Sequence, residues 1–304
     1  MYKILQIFLI TLISLTVISC SDEDEEVAVA VVADDSISIV FIYPDDQVMH
    51  STSYLKSANL SGVETFPGLF SEMIKKLNTI YSSQGINNEF KLAGYEAVNY
   101  SSYDSSSEVK SADCSDWRVC LNKALMNPGN SYQYPTLQTN LSNILEKHNA
   151  DCLVYWRTDN DSTSYSGAAA IGATKETCMM QLSYNSLISP LTFSHELGHL
   201  HGCEHGNGLD TSINSTRKEF SISGTSFEKH VATIMLASYA QIKEYSLWVF
   251  SDKNSSTTDV TCSNQGSWAS KTCEFSSSIK LGDNSSHNCR TTVKNSMSTM
   301  SQFR

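Results

Sequence analysis

The sequence predicts an α/β (α+β) domain, and the main evidence is the alternation of two hydrophobic patterns along the chain. Short β-branched and aromatic runs, typical of strands, alternate with longer segments whose apolar residues recur at helical spacing. The chain has 304 residues, of which 40% are hydrophobic, and this is enough to bury one sizeable core. Strands that alternate with helices within one domain favour a sheet that is covered by helices.

A strand, a helix and a second strand are predicted first. Ile37–Tyr43 is a β-branched and aromatic run that Pro44 ends, and it predicts a buried strand. Apolar residues at helical spacing predict a helix over Phe66–Tyr81, and Gly85 follows its end. The composition of Glu89–Val98 predicts the second strand.

The alternation then continues towards a last helix. A serine-rich loop over Ser101–Lys110 precedes a second amphipathic helix over Pro135–His148. Three further strands are predicted after this helix, namely Cys152–Trp156, Gly167–Gly172 and Cys178–Tyr184. Ser189 is a favourable helix N-cap and Pro190 suits the first helical position, so a helix is predicted to begin there.

The helix that follows Pro190 carries a highly specific motif. Residues 195–205 read HELGHLHGCEH and match the pattern H-E-x-x-H-x-x-G-x-x-H. One helical turn separates His195 from His199, so both imidazoles point the same way and can hold one metal ion. Gly202 suits the left-handed conformation that ends a helix, which lets the chain turn back and offer His205 as a third ligand.

These residue types predict hydrolytic zinc chemistry. Three neutral imidazole nitrogens suit Zn²⁺ and leave one coordination position open, which is typical of a catalytic rather than a structural ion. Glu196 follows the first ligand and is placed to act on water rather than on the metal. The sequence therefore predicts one catalytic Zn²⁺, with Glu196 as the general base and then the general acid.

The motif resembles the long zinc signature of the metzincin metallopeptidases. In that family a methionine lies beneath the three imidazoles, and Thr233–Leu236 is similar to this turn, with Met235 as its methionine. The element order, together with segments such as Leu77–Ile86 and Ser166–Gly172, resembles the reprolysin (adamalysin-like) branch more closely. This resemblance implies a cleft-edge strand that binds an extended peptide by strand addition, through Gly167, Ala168, Ala169 and Ala170. Such small residues also suit tight packing.

The resemblance implies a metzincin-type catalytic domain over residues 36–304. Its upper subdomain, residues 36–205, is expected to hold a mixed twisted sheet with long helices above a zinc cleft. A smaller, irregular lower subdomain is expected over residues 206–290, and a tail over 291–304. Gly206 stands where reprolysins usually have Asp, and Ala237 stands where astacins and serralysins have a tyrosine ligand. Three protein ligands and a water are therefore expected.

The N-terminal residues predict export. Lys3 precedes an apolar run, Ile4–Ile18, which is too short for a comfortable membrane span and suits the core of a signal peptide. Val17–Cys20 resembles a bacterial lipobox, which implies that residues 1–20 form the signal and that Cys20 is lipid-anchored to the outer membrane, at the cell surface or in the periplasm. A plain secretory signal is the alternative. Residues 21–35 are expected to be a disordered acidic spacer.

The cysteines agree with export. Eight remain after Cys20, and an even number in an exported chain indicates disulfides. Two local pairs are predicted, Cys114 with Cys120 and Cys262 with Cys273. Cys203, inside the zinc motif, is expected to be half of a disulfide rather than a nucleophile, because a metal site needs none.

The predicted function is a zinc-dependent endopeptidase that acts on extracellular proteins or peptides. The formal net charge of −11 argues against nucleic acid or an anionic membrane surface as a partner. A monomer is expected, with the lipid at Cys20 as its sole membrane contact. The alternative is a surface-binding lipoprotein that keeps the scaffold without turnover, although the presence of Glu196 argues against it. A zinc hydrolase that acts on non-peptide amides also stays open.

Overall fold

The computed structural model describes most of the chain from Asp35 to Arg304. The described residues are 35–46, 60, 62–63, 65–101, 104, 117–126, 134–157, 167–183, 190–205, 218–229, 231–235, 245–252, 254–264, 271–281 and 288–304. The predicted signal, Cys20 and nearly all of the acidic spacer lie outside these ranges. Within them, no helix combines the length and the apolar character needed to cross a membrane.

A five-stranded mixed sheet forms the centre of the domain. Its strands are β1 Ile37–Pro44, β2 Phe90–Val98, β3 Cys152–Arg157, β4 Gly167–Ala169 and β5 Met179–Ser183. They lie in the order β2-β1-β3-β5-β4. β1 is parallel to β2 and β3, and β3 is parallel to β5, whereas β4 is antiparallel to β5 at the edge. The predicted fold class is confirmed.

Among the described residues, five helices accompany this sheet. They are α1 Phe66–Ser82, α2 Trp117–Met126, α3 Pro135–Lys147, α4 Pro190–Leu200 and α5 Cys289–Met300. α1 begins where Thr65 Oγ1 accepts a hydrogen bond from the Gly68 amide, with Pro67 in the first turn. The observed α1, α3 and α4 agree with the predicted helices, whereas α2 and α5 were not predicted.

Helices cover both faces of the sheet, which explains why β1 has an almost continuous apolar sequence. Ile39 and Phe41 face one core, which α1, α4 and α5 cover, and Val40 and Ile42 face the other, which α2 and α3 cover. Phe41 stacks on Phe70 of α1 with ring centroids 4.3 Å apart. Each such fully buried side chain stabilises the fold by about 1.5–3 kcal/mol, so burial holds α4 against the sheet.

A second sheet forms the region that the sequence predicted to be an irregular lower subdomain. Its six strands are β6 Lys218–Ile222, β7 Thr225–Lys229, β8 Val231–Ala232, β9 Tyr245–Leu247, β10 Ser256–Asn264 and β11 Lys271–Lys280. They lie in the order β7-β6-β11-β10-β9-β8. One buried face, with Ile222, Val260 and Phe275, supports this sheet, while most other positions of β11 are exposed. The sequence did not indicate these strands, because few apolar residues suffice for a one-sided sheet.

The predicted tail is instead a buried helix. α5 covers much of residues 291–304, and Val293 and Met297 are completely buried in the core that also contains α4. Met300 and Phe303 extend the same contact. The spacing of these residues, four and three apart, is helical, and polar serines and threonines fill the exposed face.

Three disulfides join described cysteines. Cys262–Cys273 joins β10 to β11, as predicted. Cys152–Cys178 and Cys203–Cys289 also form, so Cys203 is half of a disulfide as expected. Cys114 lies outside the described residues, and its pairing with Cys120 stays a prediction.

A partly buried ion pair anchors the start of α5. Asp252 accepts hydrogen bonds from the Arg290 guanidinium at 2.8 Å, from the Asn254 amide at 3.0 Å and from the Ser255 hydroxyl. Burial alone raises the pKa of Asp252, but these hydrogen bonds and the Arg290 charge outweigh it, so the pKa is lowered from 3.8. The carboxylate form is therefore the one that the fold stabilises.

Asp252→Asn is expected to lower the free energy of unfolding by about 1.5–3 kcal/mol near neutral pH, because hydrogen bonds to a charged group are lost. Folding lowers the pKa of Asp252, so the contribution of its carboxylate to the free energy of unfolding is present above about pH 4, the pKa of an unfolded aspartate. This contribution is lost as the pH falls through the lower pKa of the folded state. Urea unfolding of both proteins across this range measures the difference. Asp259→Asn, at an exposed position of β10, is the control. A difference that does not shrink in acid would contradict the assignment.

Candidate active site

Three histidines converge at the end of α4. The Nε2 atom of His205 lies 3.1 Å from Nε2 of His199 and 3.1 Å from Nε2 of His195. The candidate ligand atoms all lie within 4.8 Å of one another. Tetrahedral zinc with Zn–N bonds of 2.0–2.1 Å requires nitrogens about 3.3 Å apart, and the two distances from His205 are close to this value.

Backbone carbonyls orient two of these rings. Nδ1 of His195 donates to the Ile234 carbonyl at 2.8 Å, and Nδ1 of His199 donates to the Cys203 carbonyl at 2.7 Å. A carbonyl oxygen only accepts, so in a neutral ring the proton is on Nδ1 and the lone pair is on Nε2. Both Nε2 lone pairs are thereby directed to the cluster, and such outer hydrogen bonds fix the ring orientation of metal-binding histidines.

The turn after α4 brings the third histidine into place. Gly202 has φ +99°, the left-handed conformation that its sequence position predicted. The Cys203 amide donates to the Gly198 carbonyl at 2.9 Å, and the Gly202 amide donates to the His199 carbonyl at 2.8 Å. This paired arrangement is a Schellman motif, which ends the helix and reverses the chain towards His205.

The edge strand is attached to the same helix end. The amides of Gly172 and Ala173 donate to the carbonyls of His199 and Leu200 at 2.8 and 2.7 Å. β4 ends at Ala169, so Ala170 lies beyond the strand, which corrects the predicted extent to Gly172. The strand is shorter because the chain leaves β5 to satisfy the last carbonyls of α4.

Met235 lies beneath the zinc-motif helix. It is completely buried, and a Cβ atom added at Gly198 would overlap its sulfur and would also press on the Phe250 ring. The neighbouring Ile234 amide donates to the Val249 carbonyl at 3.0 Å, which holds this turn against the second sheet. The absence of a side chain at Gly198 therefore permits close contact between α4 and the methionine turn.

The carboxylate of Glu196 is buried next to the start of β4. Only 5% of Glu196 is exposed, and a Cβ atom added at Gly167 would lie 2.7 Å from Glu196 Oε1. Burial raises the pKa of Glu196 to about 8, and the positive charge of a metal ion held by the histidines would lower it towards the range in which the carboxylate can accept a proton. The carboxylate of Glu196 thus lies against the edge strand, on the helix that also carries His195 and His199.

Most of the chain matches one known protein family. Residues 24–246 match the Reprolysin_5 model, which is described as metallo-peptidase family M12. The chain belongs to metallopeptidase family M12. Zinc dependence is a property of this family, and the M12 chain has a cluster of three histidines that could hold a metal ion.

Solved structures and curated proteins give no further assignment of this M12 chain. A solved structure titled "Structure of a chaperone-substrate complex" has a TM-score of 0.46 at 12% identity, over 89% of this chain. The M12 chain spans only 35% of the length of that protein. The search of curated proteins finds no match.

Burial favours the neutral form of two of the clustered histidines in the M12 chain, His199 and His205. It is the largest cause that lowers the pKa of His199, and the charge of His205 adds to it, against the Cys203 hydrogen bond and the Glu204 charge. Burial also lowers the pKa of His205. A neutral imidazole is the form that binds a metal ion, so both shifts favour metal binding at neutral pH.

Some residues that support the site were not found from the sequence of the M12 chain. Gln84 accepts a hydrogen bond from the Phe250 amide at 2.7 Å and donates to the Ile80 carbonyl, so it holds the segment beneath Gly198. His201 is 3% exposed, and its Nδ1 atom lies 2.7 Å from Ser296 Oγ of α5. Neither contact has a local sequence signal, because the partners are distant in the chain.

Several sequence interpretations fall on residues outside the described part of the M12 chain. These residues are Ser166, Gly206, Leu236 and Ala237. The absence of a tyrosine ligand therefore stays a prediction.

Proposed function

We propose that this M12 protein is a zinc-dependent endopeptidase that hydrolyses peptide bonds in extracellular proteins or peptides. His195, His199 and His205 bind the zinc, and Glu196 acts as general base and then general acid. The observation that carries the proposal is the convergence of three imidazoles, with Nε2 of His205 3.1 Å from Nε2 of both His195 and His199, on the helix that also carries a buried carboxylate. A structural zinc site would need a fourth protein ligand, and no fourth His, Cys, Asp or Glu joins the cluster among the described residues.

The zinc ion, Glu196 and Met235 have separate roles in the proposed reaction. Zinc, when bound, supplies Lewis-acid chemistry, since it lowers the pKa of water and polarises the scissile carbonyl. Glu196 accepts the proton of the attacking water and later delivers it to the leaving amine. Met235 packs under the ligand helix and keeps its spacing, without contact to the substrate.

In this proposal the edge strand β4 binds the peptide substrate. β4 is the last strand of its sheet, so one edge of Gly167–Ala169 has no strand partner among the described residues. An extended peptide can add to such an edge through main-chain hydrogen bonds. Because Gly167 lies against Glu196, a peptide that pairs with β4 passes the general base. Small side chains at Ala168 and Ala169 leave room for its backbone.

Export to an oxidising compartment belongs to the same proposal. Disulfides persist outside the reducing cytosol, and three pairs join described cysteines. The lipobox-like residues ending at Cys20 support a lipid anchor in a bacterial outer membrane. We propose a monomer, with peptides as partners and with no nucleic-acid ligand, consistent with the net charge of −11.

Zinc removal is expected to abolish peptide cleavage, and zinc addition is expected to restore it. The test incubates protein starting after Cys20 with a diverse peptide library and identifies the products by mass spectrometry. Metal analysis is expected to give about one zinc per chain, which a strong chelator removes. His205→Ala is the matched variant and is expected to lose both zinc and cleavage. Full zinc occupancy with no cleaved peptide would overturn the peptidase proposal.

A further inference from the structure

We propose that the Cys203–Cys289 disulfide, with the hydrogen bond between His201 and Ser296, positions the histidine ligands for zinc. The proposal rests on the proposed function, in which the three histidines bind the ion. It assigns α5, at residues 289–300, a part in metal binding although α5 lies outside the family match to residues 24–246. All four residues are assigned a role that acts through the histidines, so they are positioning residues.

Cys203 is the first link, because its carbonyl is the acceptor for Nδ1 of His199, at 2.7 Å. Cys203 also lies between two ligands in the chain, two residues before His205. Its position therefore affects one ligand through a hydrogen bond and another through the backbone. Cys203 is completely buried and its Sγ is bonded to Cys289, which fixes this position from outside the motif.

The second link is the firm attachment of α5 to the rest of the domain. Val293 and Met297 of this helix are completely buried in the core. At its start, the Cys289 amide donates to Ser251 Oγ at 3.2 Å, and the Arg290 amide donates to the Ser251 carbonyl at 3.0 Å. A disulfide to a helix held in this way constrains Cys203, whereas a disulfide to a loose segment would not.

The third link is the His201–Ser296 contact on the other side of the turn. Ser296 Oγ donates to the Val293 carbonyl at 3.0 Å, so it accepts from Nδ1 of His201, at 2.7 Å. His201 and Cys203 flank Gly202, whose left-handed backbone has the fewest steric restraints in the turn. The disulfide of Cys203 and the hydrogen bond of His201 thus connect both neighbours of Gly202 to α5. They restrain the backbone that leads to the third ligand, His205.

The hairpin disulfide provides a matched control. Cys262–Cys273 joins β10 and β11, has both cysteines completely buried, and belongs to the core of the second sheet. Its removal deletes the same type of bond, and changes two cysteines to serines, as removal of Cys203–Cys289 does. It leaves the contacts of the histidine cluster unchanged.

The test compares Cys203→Ser/Cys289→Ser with Cys262→Ser/Cys273→Ser and with the wild-type chain. Zinc affinity is measured by chelator competition, the Co²⁺-substituted proteins are compared by visible absorption, and circular dichroism reports folding. The first double variant is expected to bind zinc about 10–100-fold more weakly, as outer-shell changes usually do, with an altered Co²⁺ spectrum. The hairpin variant is expected to keep wild-type affinity and spectrum.

A folded Cys203→Ser/Cys289→Ser variant with wild-type zinc affinity would overturn the proposal, as would equal weakening in both double variants. If that variant does not fold, Ser296→Ala decides, because it keeps every cysteine and loses the contact with His201 together with a hydrogen bond inside α5, to the Val293 carbonyl. Weaker zinc binding with an altered Co²⁺ spectrum supports the proposal, and unchanged binding overturns it. Loss of zinc by wild type, or its retention in His205→Ala, shows instead that the proposed function has failed.

Discussion

Glu196→Gln is expected to lower kcat/KM for peptide cleavage by about 10²–10⁴-fold, the usual contribution of general acid–base catalysis. The amide has nearly the same shape as the carboxylate but cannot accept a proton from water. Glu196 is not one of the clustered ligands, so zinc content is expected to stay at the wild-type value. The measurement is steady-state cleavage of the best library peptide, with metal analysis of the same samples.

The control for this change is Glu72→Gln. Glu72 lies on α1 and pairs with Lys75 at 3.5 Å, on the exposed side of the helix, and it makes no contact with the histidine cluster. Its kcat/KM is expected to match wild type. Undiminished cleavage by Glu196→Gln would show that another group moves the proton.

Gly198→Ala is expected to destabilise the protein by about 1–3 kcal/mol, the usual effect of overpacking a core. Alanine is the better helix former by about 1 kcal/mol, but its Cβ would overlap the sulfur of Met235, which is completely buried. Displacement of Met235 also moves the adjacent Ile234 carbonyl, the acceptor for His195. Zinc affinity is therefore expected to fall by about 10–100-fold as well.

Gly68→Ala is the matched control for Gly198→Ala, because Gly68 is also a helical glycine. A Cβ atom there would have its nearest neighbours at 3.5 Å, an ordinary contact distance. This variant is expected to be neutral or slightly stabilised. Urea unfolding and chelator competition are measured for both variants. Unchanged stability and zinc affinity in Gly198→Ala would contradict the assigned contact.

The central sheet and three of its helices were predictable because their sequences are locally consistent. β1 is buried on both faces and is therefore apolar throughout, and the core-facing side of α1 repeats its apolar residues at helical spacing. The ends of these elements carry turn signals such as Pro44 and Gly85. In such segments local preference and tertiary burial agree, so the pattern identifies the element.

The second sheet and α5 were not predictable because polar residues dominate their sequences. β11 reads KTCEFSSSIK, and few of its positions are buried. α5 reads CRTTVKNSMSTM, in which threonine, serine and asparagine lower the helical preference. These elements form because distant parts of the chain cover their few apolar residues, and one sequence does not display that contact.

The candidate site also combines residues with a local sequence signal and residues without one. The three histidines and Glu196 lie within eleven residues of sequence, so the spacing of the histidines alone indicated a shared ion. The groups that hold them are carbonyls and side chains from elsewhere, such as Ile234, Gln84 and Ser296. A backbone carbonyl has no sequence signature, and the pairing of Cys203 with Cys289 spans 86 positions, so these supports required the structure.

That long separation has a consequence for the timing of biosynthesis. Ribosomes add about 5–20 residues per second, so the 86 positions between the two cysteines correspond to about 4–17 s of translation. During this interval the newly made chain already contains every zinc ligand but lacks the helix that restrains their turn. The metal site that we propose is therefore fully restrained only after α5 has been made.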